Sequence, residues 1–230
     1  RGAADDQRVR GGAEGHGGVL RLALAGLVHQ SAVQERVRAQ LLDEQDFYRI
    51  RLGVGRPAGR GDPVDWVLRD FAKLKRGDRV TLHMPMVPEL PITMLACSRL
   101  GVIHSVVFGG FSASACADRI IDSQSRVLIT MDAYYRGGKL LNHKAVDEEA
   151  CQIAAEGGQV VDTLLVWQRY PGKNSSDTPA VEGRDIIVND ELKKYYGVRV
   201  APEKMLSEDP LFLMYTSGTT GKPKGVQRDT

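Results

Sequence analysis

From about Asp65 onward, apolar residues recur with two alternating periods, the short one of strands and the longer one of helices. Arg79 to Met84 reads as a strand after the turn Arg76-Gly77-Asp78. Pro88 to Leu100 reads as a helix, with Pro88 and Pro91 in the first turn, where proline is tolerated, and Gly101 as its stop. Val102 to Phe108 is a β-branched run ending in Gly109-Gly110, which predicts a buried strand and a turn. Ser112 is placed to cap a helix whose Ala113, Ala117, Ile120 and Ile121 share a face. Arg126 to Met131 predicts another strand, and Val146, Ala150, Ile153 and Ala154 mark a further amphipathic helix. Thr163 to Gln168 and Leu211 to Tyr215 complete the strands. Alternation of this kind predicts an α/β fold, a mostly parallel sheet flanked by helices. Ligands of such sheets sit at the carboxyl ends of the strands.

Before that point the pattern fails. Residues 1 to 72 hold eleven arginines and no lysine, whereas residues 73 to 230 hold ten of each. The best helical stretch of the first part, Val19 to Leu42, leads into the turn-rich Gly53-Val54-Gly55-Arg56-Pro57-Ala58-Gly59-Arg60-Gly61. We therefore divide the chain into an Arg/Gly-rich segment, 1–65, and an orderly part, 66–230. Two readings of the first segment stand side by side: a basic, flexible extension, or a stretch that is not native protein sequence, such as an out-of-frame piece of a GC-rich gene.

Composition narrows the function classes. A chain of 230 residues with 42% hydrophobic and 26% charged content is that of a soluble globular protein. A net charge of +2 argues for neither a nucleic-acid nor a membrane partner. No apolar run approaches the roughly 18–20 residues that span a bilayer, and the first residues lack the apolar centre of an export signal. A cytoplasmic location is expected. Cys97, Cys116 and Cys151 are far apart and lie in or beside helical patterns, which predicts small buried hydrophobes and not ligands or disulfides.

The candidate chemistry is concentrated near the end. Leu211 to Val226 reads L-F-L-M-Y-T-S-G-T-T-G-K-P-K-G-V: an apolar run, then three glycines, four hydroxyl residues and two lysines. Glycines bring backbone N–H groups close to an anion, hydroxyls add donors, and Lys222 and Lys224 add charge, so the loop suits a polyphosphate. It is not a Walker A loop. Gly221-Lys222 is followed by Pro223, and Thr216 stands where the first glycine is required. A second candidate is Arg136-Gly137-Gly138-Lys139, two cations around two glycines just past a strand, able to reach one phosphate. His83 and His104 fall in apolar strand patterns and read as satisfied core residues. Asp147, Glu148 and Glu149 read as an exposed helix face, since consecutive helix positions diverge. Lys193-Lys194-Tyr195-Tyr196 reads as a solvated helix end, and Trp66 and Trp167 are too isolated for base stacking.

Tyr215 to Val226 resembles the signature loop of the acyl-adenylate-forming ligases. Met84-Pro85-Met86-Val87-Pro88-Glu89, Met94-Leu95-Ala96-Cys97, His104 to Ser112 and Arg136 to Lys139 are similar to the acetate:CoA ligase (AMP-forming) branch. The likeness runs from about Phe71 to Thr230, and several segments in the right order make it specific.

The resemblance implies a two-step ligase. A carboxylate attacks the α-phosphate of Mg·ATP, releasing pyrophosphate and forming an acyl-adenylate; the CoA thiol then displaces AMP to give a thioester. It implies an ATP phosphate-binding loop of Thr216, Ser217, Gly218, Thr219, Thr220, Gly221, Lys222 and Lys224. It further implies contacts to the nucleotide end of CoA from Phe108, Gly109, Gly110, Arg136, Gly137, Gly138 and Lys139. The acyl pocket, the adenine grip, the acidic Mg²⁺ site, the hinge and the catalytic lysine are expected beyond Thr230. The 230 residues alone are accordingly expected to lack ligase activity and, as part of a core, to expose a sheet edge and apolar faces and aggregate. Acetate is the expected acid; Gln227-Arg228-Asp229-Thr230 is equally reminiscent of propionate ligases. A non-catalytic nucleotide- or CoA-binding module is the alternative from a different class.

Overall fold

The computed structural model describes residues 65, 67–173, 178–195, 200–216 and 223–229. The expected helix at 19–42, the glycine-rich turn at 53–61, Trp66, Tyr196 and the loop positions 217–222 lie outside the described residues.

After a short π-helical turn, Val67–Phe71, the elements are β1 (Arg79–Met84), α1 (Glu89–Leu100), β2 (Ile103–Phe108), α2 (Ala113–Ser123), β3 (Val127–Met131), β4 (Ala133–Arg136), β5 (Lys139–Asn142) and α3 (His143–Glu156). Then follow β6 (Thr163–Trp167), β7 (Asp185–Ile187), α4 (Val188–Leu192), β8 (Pro210–Thr216) and β9 (Lys224–Asp229). Seven strands form one sheet in the order β7-β6-β3-β1-β2-β8-β9. All neighbours in it are parallel except the β8–β9 hairpin. The predicted α/β architecture is the observed one.

The strand at the centre reads as it should for a position covered on both faces: β1 is buried at every residue after Arg79. Against one face, α2 and α3 close a core of Val107, Cys116, Ala117, Ile120, Leu128, Ala150, Ala154, Leu164 and Val166. Small residues dominate the helical side of that contact, so the helices approach the sheet and each other closely. Each fully buried large aliphatic here contributes about 1.5–3 kcal/mol. The helix ends match the sequence chemistry. Gly101 closes α1 in the left-handed conformation with φ 63°, and Ser112 accepts from Ala115 N–H to start α2. Asn142 does the same for α3 through Ala145 N–H.

One sequence expectation is overturned. Asp147 is fully buried, while Glu148 is half-buried and only Glu149 is exposed. The reason is the stripe His143, Asp147, Ala150, Cys151 and Ala154, at spacings of three and four, which is the face α3 turns inward. All three cysteines are free and buried, as expected. Lys193 and Lys194 are exposed, paired with Asp190 and Glu191, and Trp167 is a core residue.

Candidate nucleotide and coenzyme site

Both predicted segments leave the sheet at neighbouring strand ends. Met84 of β1 pairs with Phe108 of β2. His104 and Ser105 of β2 pair in parallel with Phe212 and Leu213 of β8, so β2 and β8 run toward the same edge of the sheet. The turn after β2 and the loop after β8 thus start side by side, at the carboxyl edge where open parallel sheets take ligands. The chain re-enters the described residues at Pro223, and Lys224 pairs with Thr216 across the antiparallel hairpin. A hairpin return, instead of a helix, separates this loop from phosphate loops that dock an anion on a helix N-terminus. Of the predicted phosphate-binding residues, Thr216 and Lys224 are described and exposed; Ser217, Gly218, Thr219, Thr220, Gly221 and Lys222 are outside the described residues.

The seven predicted CoA-side residues come together in two segments. Gly109 N–H donates to Met84 O at 3.1 Å, and a Cβ on Gly109 would lie 2.6 Å from Pro85 N. Only glycine fits there. A Cβ on Gly110 would lie 2.6 Å from both Arg136 Nη1 and the Phe108 ring, so the guanidinium rests directly on the Gly110 backbone. Arg136 stands opposite Lys139 at the end of the β4–β5 hairpin. Gly137 and Gly138 make the two-residue turn with φ of 56° and 77°, the pair of positive values such hairpins need. The tip is exposed, and nothing fills the space around either glycine.

Residues that the sequence reading did not single out hold this hairpin in place. Tyr134 Oη donates to Gly109 O at 2.9 Å, tying β4 to the turn after β2. The Asp132 carboxylate accepts from Ala133, Arg169 and Tyr170 N–H at 2.7, 3.0 and 2.8 Å, which anchors the base of β4 to the chain after β6. Tyr135 meets Tyr170 edge-on. A Tyr-Tyr pair before Arg-Gly-Gly-Lys was the available signal, since strand alternation sends the two rings to opposite sides.

Behind the site lies a polar cluster under α3. His83 Nδ1 bonds Asp147 Oδ1 at 2.6 Å, Thr130 Oγ1 donates to Asp147 Oδ2, and His143 Nε2 donates to His83 O at 2.9 Å. Burial depresses the His143 pKa and keeps the ring neutral near pH 7, outweighing the nearby Asp147. Among the described residues, His83, His143 and Asp147 are the group with metal-ligand spacing. They do not fit Mg²⁺, which takes oxygen donors, and their facing atoms are already engaged with one another. His83 Nε2 and His104 Nδ1 are buried without hydrogen-bond partners, so the two histidines are core residues, though incompletely satisfied ones.

Residues 66–230 match the family model described as "AMP-binding enzyme". The chain belongs to the AMP-binding enzyme family. Relatives within it include the acetyl-coenzyme A synthetase of Penicillium chrysogenum, 46% identical over 167 residues, or 73% of this chain and 24% of the relative. That of Sinorhizobium fredii is 50% identical over 157 residues, 68% of this chain and 23% of the relative. That of Pyrobaculum aerophilum is 47% identical over 171 residues, again 73% and 24%. The chain spans about a quarter of the length of these relatives. Residues 9–90 also match a model described as "Peptidyl-tRNA hydrolase", a minority of the chain. Its last part, 66–90, is shared with the AMP-binding match and contains β1, the strand paired with β2 and β3. Among the described residues no helix is long and apolar enough to cross a membrane.

Proposed function

We propose that the chain supplies two substrate-holding surfaces of an AMP-forming acetate:CoA ligase. The loop from Thr216 to Lys224 holds the β- and γ-phosphates of ATP and steadies pyrophosphate as it leaves. The turn Phe108-Gly109-Gly110 and the hairpin tip Arg136-Gly137-Gly138-Lys139 receive the nucleotide end of CoA. Acetate is the acid because the relatives are acetyl-coenzyme A synthetases. ATP, CoA and acetate are its small-molecule partners, and the cytoplasm, where ATP and CoA are supplied, is its compartment.

A carboxylate is a poor electrophile. Its attack on the α-phosphate breaks the α–β phosphoanhydride bond, and the resulting acyl-adenylate has AMP as leaving group when the CoA sulfur attacks. Charge grows on the departing pyrophosphate, so donors and cations fixed in place beforehand lower that barrier. In this chain the hydroxyls, glycine N–H groups and two lysines of the loop supply such groups, and none of them is a nucleophile. Mg²⁺, when bound, neutralises phosphate charge; among the described residues no three carboxylates lie together to hold it.

The observation that carries this reading is the Arg136 guanidinium lying on the Gly110 backbone, in the turn after β2, whose parallel neighbour β8 ends at Thr216. Titration calorimetry of the chain with CoA and with ATP tests it. Arg136→Ala should weaken CoA binding about tenfold or more, the scale of a charged hydrogen bond, and leave ATP binding nearly unchanged. Equal losses for both ligands, or no CoA binding by the parent chain, would overturn it.

A further inference from the structure

The outward side of α2 connects the two surfaces. Tyr215, the residue before the phosphate-binding loop, donates its hydroxyl to Asp122 Oδ2 at 2.6 Å. Both burial and that carboxylate raise the Tyr215 pKa, so the phenol keeps its proton and acts as donor. One turn earlier on α2, the Arg119 guanidinium lies over the Tyr215 ring at 5.4 Å and over the Phe111 ring at 4.8 Å. Phe111 in turn meets Phe108 edge-on at 6.0 Å, and Phe108 borders Gly110 under Arg136. Side chains thus run without a break from the root of the phosphate loop to the CoA-side turn.

Arg119 is the unusual member. It is 8% exposed, and among the described residues no carboxylate pairs with it; Nη1 donates only to Ala115 O. A guanidinium so withdrawn from water normally finds an anion. Here two aromatic faces take that place, an arrangement a lysine would not reproduce, because the planar ion stacks and the ammonium does not. Gly225, on the returning strand β9, leaves room for the contact: a Cβ there would sit 3.2 Å from Asp122 Oδ2 and 3.3 Å from the Tyr215 ring.

We infer that Arg119 and Asp122 are positioning residues for the ligase half-reactions. Asp122 sets the ring of Tyr215 and through it the start of the phosphate loop. Arg119 sets that ring and Phe111 together, and so ties both ligand surfaces to one helix. This rests on the functional reading above. It adds α2 as the element that registers the ATP side against the CoA side.

The test is calorimetric titration of the 230-residue chain with Mg·ATP and with CoA, alongside thermal melting. Asp122→Asn and Tyr215→Phe should each weaken ATP binding by about three- to tenfold, the scale of one hydrogen bond, and leave CoA binding unchanged. The double variant should be no worse than the weaker-binding single, since both remove one interaction. Arg119→Met should weaken both ligands. If it fails to fold, Arg119→Lys, which keeps charge and loses stacking, should show the same double loss. Parent binding of both ligands with Arg119 variants unchanged would overturn this inference alone. Additive losses in the Asp122/Tyr215 double variant would overturn the Asp122–Tyr215 part. A parent chain that binds neither ligand would overturn the functional reading and this inference with it.

Discussion

A single buried histidine shows how far local chemistry controls this molecule. His104 lies in β2, 3% exposed, with Nδ1 unpartnered and its ring 5.8 Å from Phe212. Burial lowers its pKa from 6.5 to about 4, and His143 moves in the same direction. The sign follows directly. In the unfolded chain these rings take up a proton below about pH 6.5, whereas in the folded chain they resist it, so acid favours unfolding. These rings leave stability level between about pH 7 and 7.5 and make it fall as pH drops from 6.5 toward 4. His104 alone contributes a slope of up to about 1.4 kcal/mol per pH unit. Urea midpoints between pH 7.5 and 5, a window above the ordinary carboxylate range, read this out. His104→Leu should flatten the slope; an unchanged slope would refute the assignment. The sequence showed that His104 was interior, because its strand is β-branched. It could not show that Nδ1 lacks a partner, which depends on what β8 and α1 bring alongside.

At the scale of elements, what was legible depended on length. β1, α1, β2 and α2 were readable because each is long enough to show a period and has proline, glycine or serine at its ends. The four-residue strands β4 and β5 are too short for that, and Arg136 to Lys139 reads from sequence only as a turn. The same limit applies to β7, three residues long. The burial of Asp147 was missed for another reason. Three adjacent acids suggest solvent, while the spacing from His143 through Asp147 to Cys151 and Ala154 indicates the inward face. The candidate site followed the same division. Its glycines and cations could be read in order along the chain, whereas Tyr134 with Gly109, or Asp122 with Tyr215, are partners brought together only by the sheet. The hairpin gives the element-scale prediction. Gly137 and Gly138 both need the left-handed region, which costs other residues about 1–2 kcal/mol each. Gly138→Val should therefore unravel the β4–β5 tip and displace Arg136. Because the tip is exposed and remote from the core, the global urea midpoint should move little while CoA binding falls. A midpoint shift as large as a core truncation, with CoA affinity retained, would contradict this.

For the whole molecule, the decisive feature is one side of the β2–β8–β9 end of the sheet. Val106 and Phe108, two residues apart in β2, are 37% and 50% exposed, and Met214 in β8 is 43% exposed. The register that pairs Ser105 with Leu213 puts Val106 beside Met214, and Met214 pairs with Val226 of β9. An apolar row therefore crosses three strands without a covering helix, and β9 ends the sheet order with its outer side unpaired among the described residues. The opposite face is packed by α2 and α3 over β2, β3 and β6. An end of the sheet that is bare on one side loses hydrophobic stabilisation there and presents an edge that can add strands. The chain by itself should self-associate as its concentration rises, and more strongly in ammonium sulfate, which strengthens apolar burial. Sedimentation velocity over a wide concentration range measures this. Val106→Thr with Met214→Thr should shift the distribution toward monomer if the bare face drives association. If the distribution stays put, the β9 edge drives it, and a proline at a β9 position whose N–H faces the open edge should then shift it toward monomer. A parent chain that stays monomeric throughout would show that the bare face and edge are insufficient for association.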